Sequence, residues 1–300
     1  MVRAGLDIGG TKIEAAALDA GGQVRARLRI PTPDSYHGML NAIEPLLARL
    51  QGQCGSLAPG LGVGHPGSIN PQTGRVRNAN SERLNGERLQ ADLQGVLNRP
   101  VRCANDADCF ALSEARDGAG AGARSVFGVI LGTGVGGGIV IDGAVWSGSS
   151  GIAGEWGHTP LPAASEAERL APQCWCGRRG CIEAWCSGPA LSADHHRRSR
   201  EVLSPEELAV RAAEGDEAAT ASLDHHADRV ARGLGVIVNV LDPERVVLGG
   251  GLSNLPGLAE RIEARLAAHV FSDAPAARVR INEHGDSSGV RGAAWLWPEP

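Results

Sequence analysis

The sequence predicts an α/β protein built from two related domains facing a cleft, and three observations carry that prediction. Two distant segments, residues 3–24 and 126–145, share one plan of strand, glycine turn, strand, Asp/Gly turn and strand. Helical spacing follows each segment: Ile43, Leu46, Leu47 and Leu50 mark residues 40–50, and residues 106–114 and 227–240 are patterned alike. A chain of 300 residues is long enough for two cores. Strands and helices mixed in this order give α/β domains.

The first strand runs to Asp7 and turns through Gly9, Gly10, Thr11 and Lys12, which offer amides, a hydroxyl and an ammonium within one turn. Outward-pointing amides make an anion nest, and glycine accepts both the φ values and the close approach of a phosphate. Gly132, Thr133 and Gly134, followed by residues 136–138, form a second such turn. Gly249, Gly250 and Gly251 form a third, after the apolar strand Val246, Val247 and Leu248 and before a helix start at Ser253 and Asn254. Three phosphate contacts suit ATP, although each turn taken alone reads equally well as a tight hairpin. Lys12 does not end a Walker A loop, and residues 132–138 open onto a strand, so neither standard nucleotide fingerprint is present.

Asp7 stands beside the first turn, where a carboxylate holds Mg²⁺ against nucleotide phosphates. Asp106 follows a short strand and opens a helix, so it reads either as an N-cap or as the base that takes a proton from an attacking hydroxyl. Asn105 beside it can donate to and accept from sugar hydroxyls. Asp108 points elsewhere and is read as solvated. Residues 162–173 and 192–204 are polar, lack periodicity and are read as surface loops, with the basic run 195–200 as a solvated helix face in the alternative.

Glu155, Trp156, Gly157 and His158 precede Cys174, Cys176 and Cys181, and Glu183 follows. One imidazole and three thiolates complete the tetrahedral shell of a structural zinc ion, with glycines letting a short backbone wrap it. A closed shell leaves no place for water, so this metal holds a loop rather than activating a nucleophile. Unpaired buried thiols or a disulfide are the competing readings.

Composition narrows the function classes. Hydrophobic residues make up 42% and charged residues 21%, which excludes a disordered or collagen-like chain. A net charge of −5 without a basic cluster gives no footprint for nucleic acid or membrane, and no apolar run approaches a bilayer's width. There is no secretory leader pattern, and Cys54, Cys103, Cys109 and Cys186 lie outside the metal cluster, which points to a reducing, cytoplasmic setting. Tyr36 and the six tryptophans read as core or loop anchors.

Residues 7–12, 105–107, 131–138, 155–158 and 174–183 together resemble the ROK family (repressors, open reading frames and sugar kinases), and the likeness covers essentially the whole chain. The resemblance implies an actin-like ATPase (RNase H-like) fold whose two α/β domains close over ATP and a sugar, commonly as a homodimer. It implies domains at 1–117, rejoined by a C-terminal helix over 288–300, and at 118–287. Asp106 becomes the general base; Asp7, Gly9, Gly10, Thr11, Lys12, Gly132, Thr133, Gly134, Gly250 and Gly251 hold Mg·ATP. Gly67, Asn80, Asn105, Asp106, Glu155, His158 and Glu183 contact the sugar, and His158, Cys174, Cys176 and Cys181 bind zinc. The expected reaction is ATP-dependent phosphorylation of a hexose 6-hydroxyl. Residues 64–86 and 284–298 most resemble bacterial fructokinases of this family that also accept mannose, while residues 105–114 and 132–138 are shared with its N-acetylglucosamine kinases. Fructose is therefore the first expectation, with N-acetylglucosamine and glucose as alternatives. The family's repressors place a helix-turn-helix ahead of the first turn; the Asp7 turn begins almost at the N-terminus, so that reading is set aside, and Asp106 argues against a binding protein without chemistry.

Overall fold

The structure, a computed structural model, describes residues 1–169, 172–273 and 277–297. The chain divides into two compact units, one of Met1–Ala121, Gly138–Ala153 and Asp286–Pro300 and the other of Gly122–Gly137 and Gly154–Gly285.

In the first unit β1 (Val2–Ile8), β2 (Lys12–Leu18) and β3 (Val24–Pro31) form an antiparallel meander. The turn between β2 and β3 is closed by Asp19, whose Oδ1 accepts from the amides of Gly21 (3.0 Å) and Gln23 (2.9 Å). The helix expected over residues 40–50 is the middle of a longer α1 (Tyr36–Cys54), capped by Ser35 and burying Met39, Ile43, Leu46 and Leu50. There follow β4 (Leu57–His65), the hairpin β5 (Ser68–Ile69) and β6 (Val76–Arg77), α2 (Leu89–Leu97), β7 (Val101–Asn105) and α3 (Asp106–Asp117). The sheet order is β3-β2-β1-β4-β7, with β4 parallel to both β1 and β7. A run such as Ala15, Ala16, Ala17 and Leu18, buried on both faces, needs helices above and below it.

The second meander is β8 (Ser125–Leu131), β9 (Val135–Ile141) and β10 (Ala144–Val145). After it come α4 (Glu166–Arg169), α5 (Glu183–Cys186), α6 (Gly188–Ser199), α7 (Pro205–Ala213), α8 (Glu217–Leu241), β11 (Arg245–Gly249), α9 (Leu258–Leu266) and β12 (Arg278–Ile281). Their sheet runs β10-β9-β8-β11-β12, with β11 parallel to β8 and β12. The order repeats that of the first sheet strand for strand, as the duplicated sequence plan requires.

Several local expectations are corrected. Residues 192–204 are not all loop: α6 covers residues 192–199, and Ser204 caps α7. The inward face of α6 carries Asp194 and His195, buried because Arg229 and Ser222 satisfy them, so apolar periodicity could not reveal it. The stretch 162–173 contains α4, and its residues 170–171 lie outside the described residues. The third glycine turn leads into a 3₁₀ turn, Gly251–Asn254, and the α-helix starts only at Leu258, after Gly257 at φ 74°. Asp108 is buried rather than solvated, because the backbone at Gly138 presses on Ala107 and Asp108. The same contact groups residues 138–153 with the first unit, where a single break at 117/118 would place them with the second. Among the described residues no helix is long and apolar enough to cross a membrane.

The C-terminal helix α10 (Ser288–Trp295) belongs to the first unit; residues 298–300 of the expected 288–300 helix lie outside the described residues. It sits on the sheet at backbone contact because glycines face it. A Cβ on Gly62 would fall on the Ala293 carbonyl, one on Gly5 on the Val290 carbonyl, and one on Gly292 on the Cys109 carbonyl of α3. Replacement of Gly62 by Ala should therefore lower stability by about 2 kcal/mol or more through overpacking. The control Gly52→Ala, on an exposed turn of α1 with no atom within 4 Å of the new methyl, should gain roughly 0.5 kcal/mol. Urea unfolding of both variants measures this, and equal midpoints would contradict the close approach of α10.

Candidate active site and metal centre

In the first unit the predicted residues gather at the strand ends. The turn after β1 is tied by Gly9 N to the Lys12 carbonyl (2.9 Å), while Thr32 donates its amide to Thr11 O (3.0 Å) and its hydroxyl to Gly9 O (2.8 Å). These bonds hold the turn through the carbonyls of Gly9, Thr11 and Lys12. Asp7, near the end of β1, lies opposite Glu14 of β2 and Gly64 of β4. Burial, then the negative fields of Asp106 and Glu14, push its carboxyl up to about 7 against the pull of Lys12 and Arg29. Glu14 itself is buried and accepts from Arg27 and Arg29.

Asp106 is the first residue of α3 and is exposed; the cap is Asn105, whose Oδ1 accepts from Ala107 N at 2.8 Å. The N-cap reading thus passes to Asn105. Asp106 Oδ1 also accepts from Ala107 N at 2.8 Å, which fixes the direction of its carboxylate. The other end of the Asn105 amide donates to Gly67 O (2.8 Å), so these two predicted sugar residues are in direct contact. Gly67, at φ 77°, is forced to be glycine, since a Cβ there would strike the backbone of Arg77 and Ala79. Asn80 is exposed on the following loop, and Asn85 pins that loop by exchanging two 2.9 Å hydrogen bonds with the Ala79 backbone. Asn85 was not singled out from sequence; an Asn pairing with backbone six residues away leaves no periodic signal.

In the second unit the second and third glycine turns come together: a Cβ on Gly132 would stand 3.9 Å from Gly251 N. Of Gly9, Gly10, Gly132, Gly134, Gly250 and Gly251, only Gly250 has a left-handed φ (81°), so the expectation that φ demands these glycines holds there alone. The rest serve by leaving room. Gly10 and Gly251 have no atom within 4 Å of a would-be Cβ, and a side chain at Gly134 would meet Glu183 Oε2 at 2.7 Å. Thr133 sits between two of these glycines in the tip joining β8 to β9.

Glu183 opens α5 and is buried; its Oε2 accepts from Val135 N (2.9 Å) and its Oε1 lies 3.5 Å from Cys174 Sγ. One carboxylate thus joins the second turn to the cysteine loop. Glu155, Trp156 and His158 form a 3₁₀ turn locked by the Trp156 indole, which is buried and donates to Gly136 O at 2.9 Å. Burial raises the Glu155 carboxyl above its ordinary value, opposed by His158 and reinforced by Glu183. The binding atoms of His158, Cys174, Cys176 and Cys181 all lie within 4.8 Å of one another. Cys174 Sγ is 3.6 Å from His158 Nδ1, and Cys176 Sγ is 3.6 Å from Cys181 Sγ. Ligands about 2.3 Å from a tetrahedral ion are about 3.7 Å apart, so this donor set fits zinc. Gly177 (φ 85°) and Gly180 (φ 75°) supply the two left-handed turns of the loop.

The family model described as the ROK family matches residues 3–300. An N-acetyl-D-glucosamine kinase of Shigella flexneri serotype 5b is 40% identical over 297 residues, 97% of this chain and 98% of its own length. A ROK hexokinase from Thermus thermophilus superposes with a TM-score of 0.87 at 31% identity, covering 99% of this chain and 97% of that one. A ROK family glucokinase from Streptomyces griseus, solved with glucose and AMPPNP, gives 0.79 at 28% identity over 99% of both chains. The chain belongs to the ROK family, and its two sheets have the actin-like ATPase fold of those structures.

The raised Asp7 carboxyl makes a stability prediction. The unfolded chain releases this proton near 3.8, the folded chain near 7. Folding therefore loses stability as pH rises between these values, and the loss is complete above the upper one. Asp7→Asn removes the loss, so its melting temperature should exceed that of the parent by a few degrees at pH 8 and by much less at pH 4.5. An equal difference at both pH values would contradict the burial of the charge.

Proposed function

We propose that this ROK sugar kinase transfers the γ-phosphoryl group of ATP to the 6-hydroxyl of N-acetylglucosamine. The observation that carries the substrate is the 40% identity, over nearly the full length of both chains, with an N-acetyl-D-glucosamine kinase. Fructose rests on the narrower likeness of residues 64–86 and 284–298 and is the second reading.

In this mechanism Asp106 accepts the proton of the 6-hydroxyl as the oxygen attacks phosphorus. Its exposed position at the head of α3, with the carboxylate aimed by Ala107 N, suits that task. Phosphoryl transfer depends on positioning and charge stabilisation more than on covalent chemistry. The glycine turns at residues 9–12, 132–134 and 250–251 offer amides to the nucleotide phosphates, with Lys12 and Thr133 adding an ammonium and a hydroxyl. Asp7 would hold the Mg²⁺ that accompanies ATP, which would supply positive charge beside the transferring phosphoryl group. The sugar contacts proposed are Asn105, Gly67 and Asn80 in the first unit and Glu155, His158 and Glu183 in the second. His158, Cys174, Cys176 and Cys181 would hold zinc, which would supply structure and no reactive water. His158 would offer one ring nitrogen to the metal and would keep the other for a sugar hydroxyl. Hexoses differing at one substituent are separated by only a few polar contacts.

The test is ADP release from Mg·ATP by the purified protein with N-acetylglucosamine, fructose, mannose and glucose. N-acetylglucosamine should lead in kcat/KM by about tenfold or more, the size one or two polar contacts supply. A lead for fructose would keep the mechanism and replace the substrate.

A further inference from the structure

Residues 159–173 leave His158 and must bring Cys174 back to the same four-ligand cluster. Backbone pairing holds both ends of this segment: Pro160 bridges to Cys181 with Leu161 N donating to Gly180 O at 2.8 Å, and Gln173 bridges to Arg179. Between them stands α4, whose four residues are too few to be helical without outside support. That support comes from Glu168. Its carboxylate is first oriented by its own turn, with Ser165 N donating to Oε2 (3.0 Å) and Glu168 N donating to Ser165 Oγ (3.3 Å). Arg229 Nε and Arg232 Nη2 both donate to Oε1 at 2.8 Å, and Arg232 Nη1 donates to Oε2 at 3.2 Å. The same Nη1 reaches the carbonyls of Pro162 (3.0 Å) and Ala163 (3.1 Å). The three side chains are 11%, 3% and 10% exposed in the order Glu168, Arg229, Arg232, so the ion pairs are shielded from water. The guanidiniums hold the Glu168 carboxyl well below the usual carboxylate range despite the opposing effect of burial.

The two arginines lie one turn apart on α8 and grip the other arm of the site as well. Arg229 Nη1 donates to Asp194 of α6 at 2.8 Å, and its guanidinium stacks 4.3 Å over Trp185, two residues after Glu183. The His158 arm and the Glu183 arm are thus fastened to one rigid element through a single residue. We infer that Glu168 is a positioning residue for sugar binding: through Arg229 and Arg232 it clamps residues 162–168 to α8 and so keeps His158 and Cys174 in register with Glu183. The inference rests on the sugar contacts proposed for His158 and Glu183, and a clamp that merely stiffened the surface would leave those contacts untouched.

The full-length Glu168→Ala and Glu168→Gln variants separate these cases. Kinetics are measured with Mg·ATP and whichever of the four sugars the parent protein turns over fastest, and metal release is followed with a colorimetric chelator. Glu168→Ala should raise the sugar KM and speed metal release by about tenfold each, the lower end of what outer-shell contacts do at metal sites, and leave kcat and the ATP KM within about twofold. Glu168→Gln, which keeps a carbonyl acceptor, should show the same pattern more weakly and carries the test where the Ala variant does not fold. Unchanged sugar KM and metal release would overturn the clamp. So would a parallel fall of kcat, both affinities and melting temperature in the Gln variant, which marks general destabilisation. A parent protein idle with all four sugars would count against the proposed reaction, while metal release would still decide the clamp.

Discussion

Negative charge gathered where the strands of the first sheet end is the constraint around which this protein is arranged. Asp7 stands near the end of β1 and Asp106 just past the end of β7, on either side of β4. A buried carboxylate beside a second one is unfavourable in its charged form, which is why the Asp7 carboxyl rises to about 7. The fold accepts this cost instead of pairing Asp7 with an arginine, although Arg27 and Arg29 stand nearby on β3, where both are taken up by Glu14. Carboxylates gathered at the carboxyl ends of parallel strands are how an α/β sheet presents a site for a cation. The turn at residues 9–12, which carries Lys12, follows directly on β1.

The second unit uses the same strand order for a different task. Its glycine turns share an edge, and the sequence beyond them is spent on holding side chains rigid. Trp156 ties the 3₁₀ turn to Gly136, Glu183 ties α5 to Val135, and four metal-type donors close the intervening loop. Gly157 and Gly137 belong to the same arrangement, because a Cβ on either would enter the Val135 backbone or the Trp156 ring. Rigidity of this kind matters for a kinase acting on sugars, since the discrimination between near-identical hydroxyl patterns depends on contacts that cannot drift.

How much of this was legible in the sequence follows from how far each feature depends on neighbours in the chain. The meanders, the three glycine turns and the long helices were readable because strand alternation, helix spacing and turn chemistry are local. The candidate metal ligands were readable because four donors fall within twenty-four residues, 158–181, with glycines between them. Asp106 was readable as a residue of interest, but its release from capping was not: the cap passed to Asn105 through a side-chain choice that either residue type allows. Helix α6 was missed because its buried face is polar and is satisfied by Arg229 and Ser222, far away in sequence. Glu168 and Arg232 were missed for the same reason, since ion pairing across 64 residues has no period. The sugar was read from two short stretches, whereas the whole-chain comparison favours the alternative, and local likeness is weak ground when one substituent separates the candidates.

The central claim is that Asp106 acts on the proton of the sugar hydroxyl and is not needed to hold the sugar. The most direct measurement is sugar affinity by calorimetry beside kcat for Asp106→Asn, which preserves shape and removes only basicity. The account predicts affinity within about threefold of the parent and a fall in kcat of about 10²-fold or more, the usual contribution of a positioned base. A variant with near-normal kcat, or one whose activity is lost only because the sugar no longer binds, would contradict it.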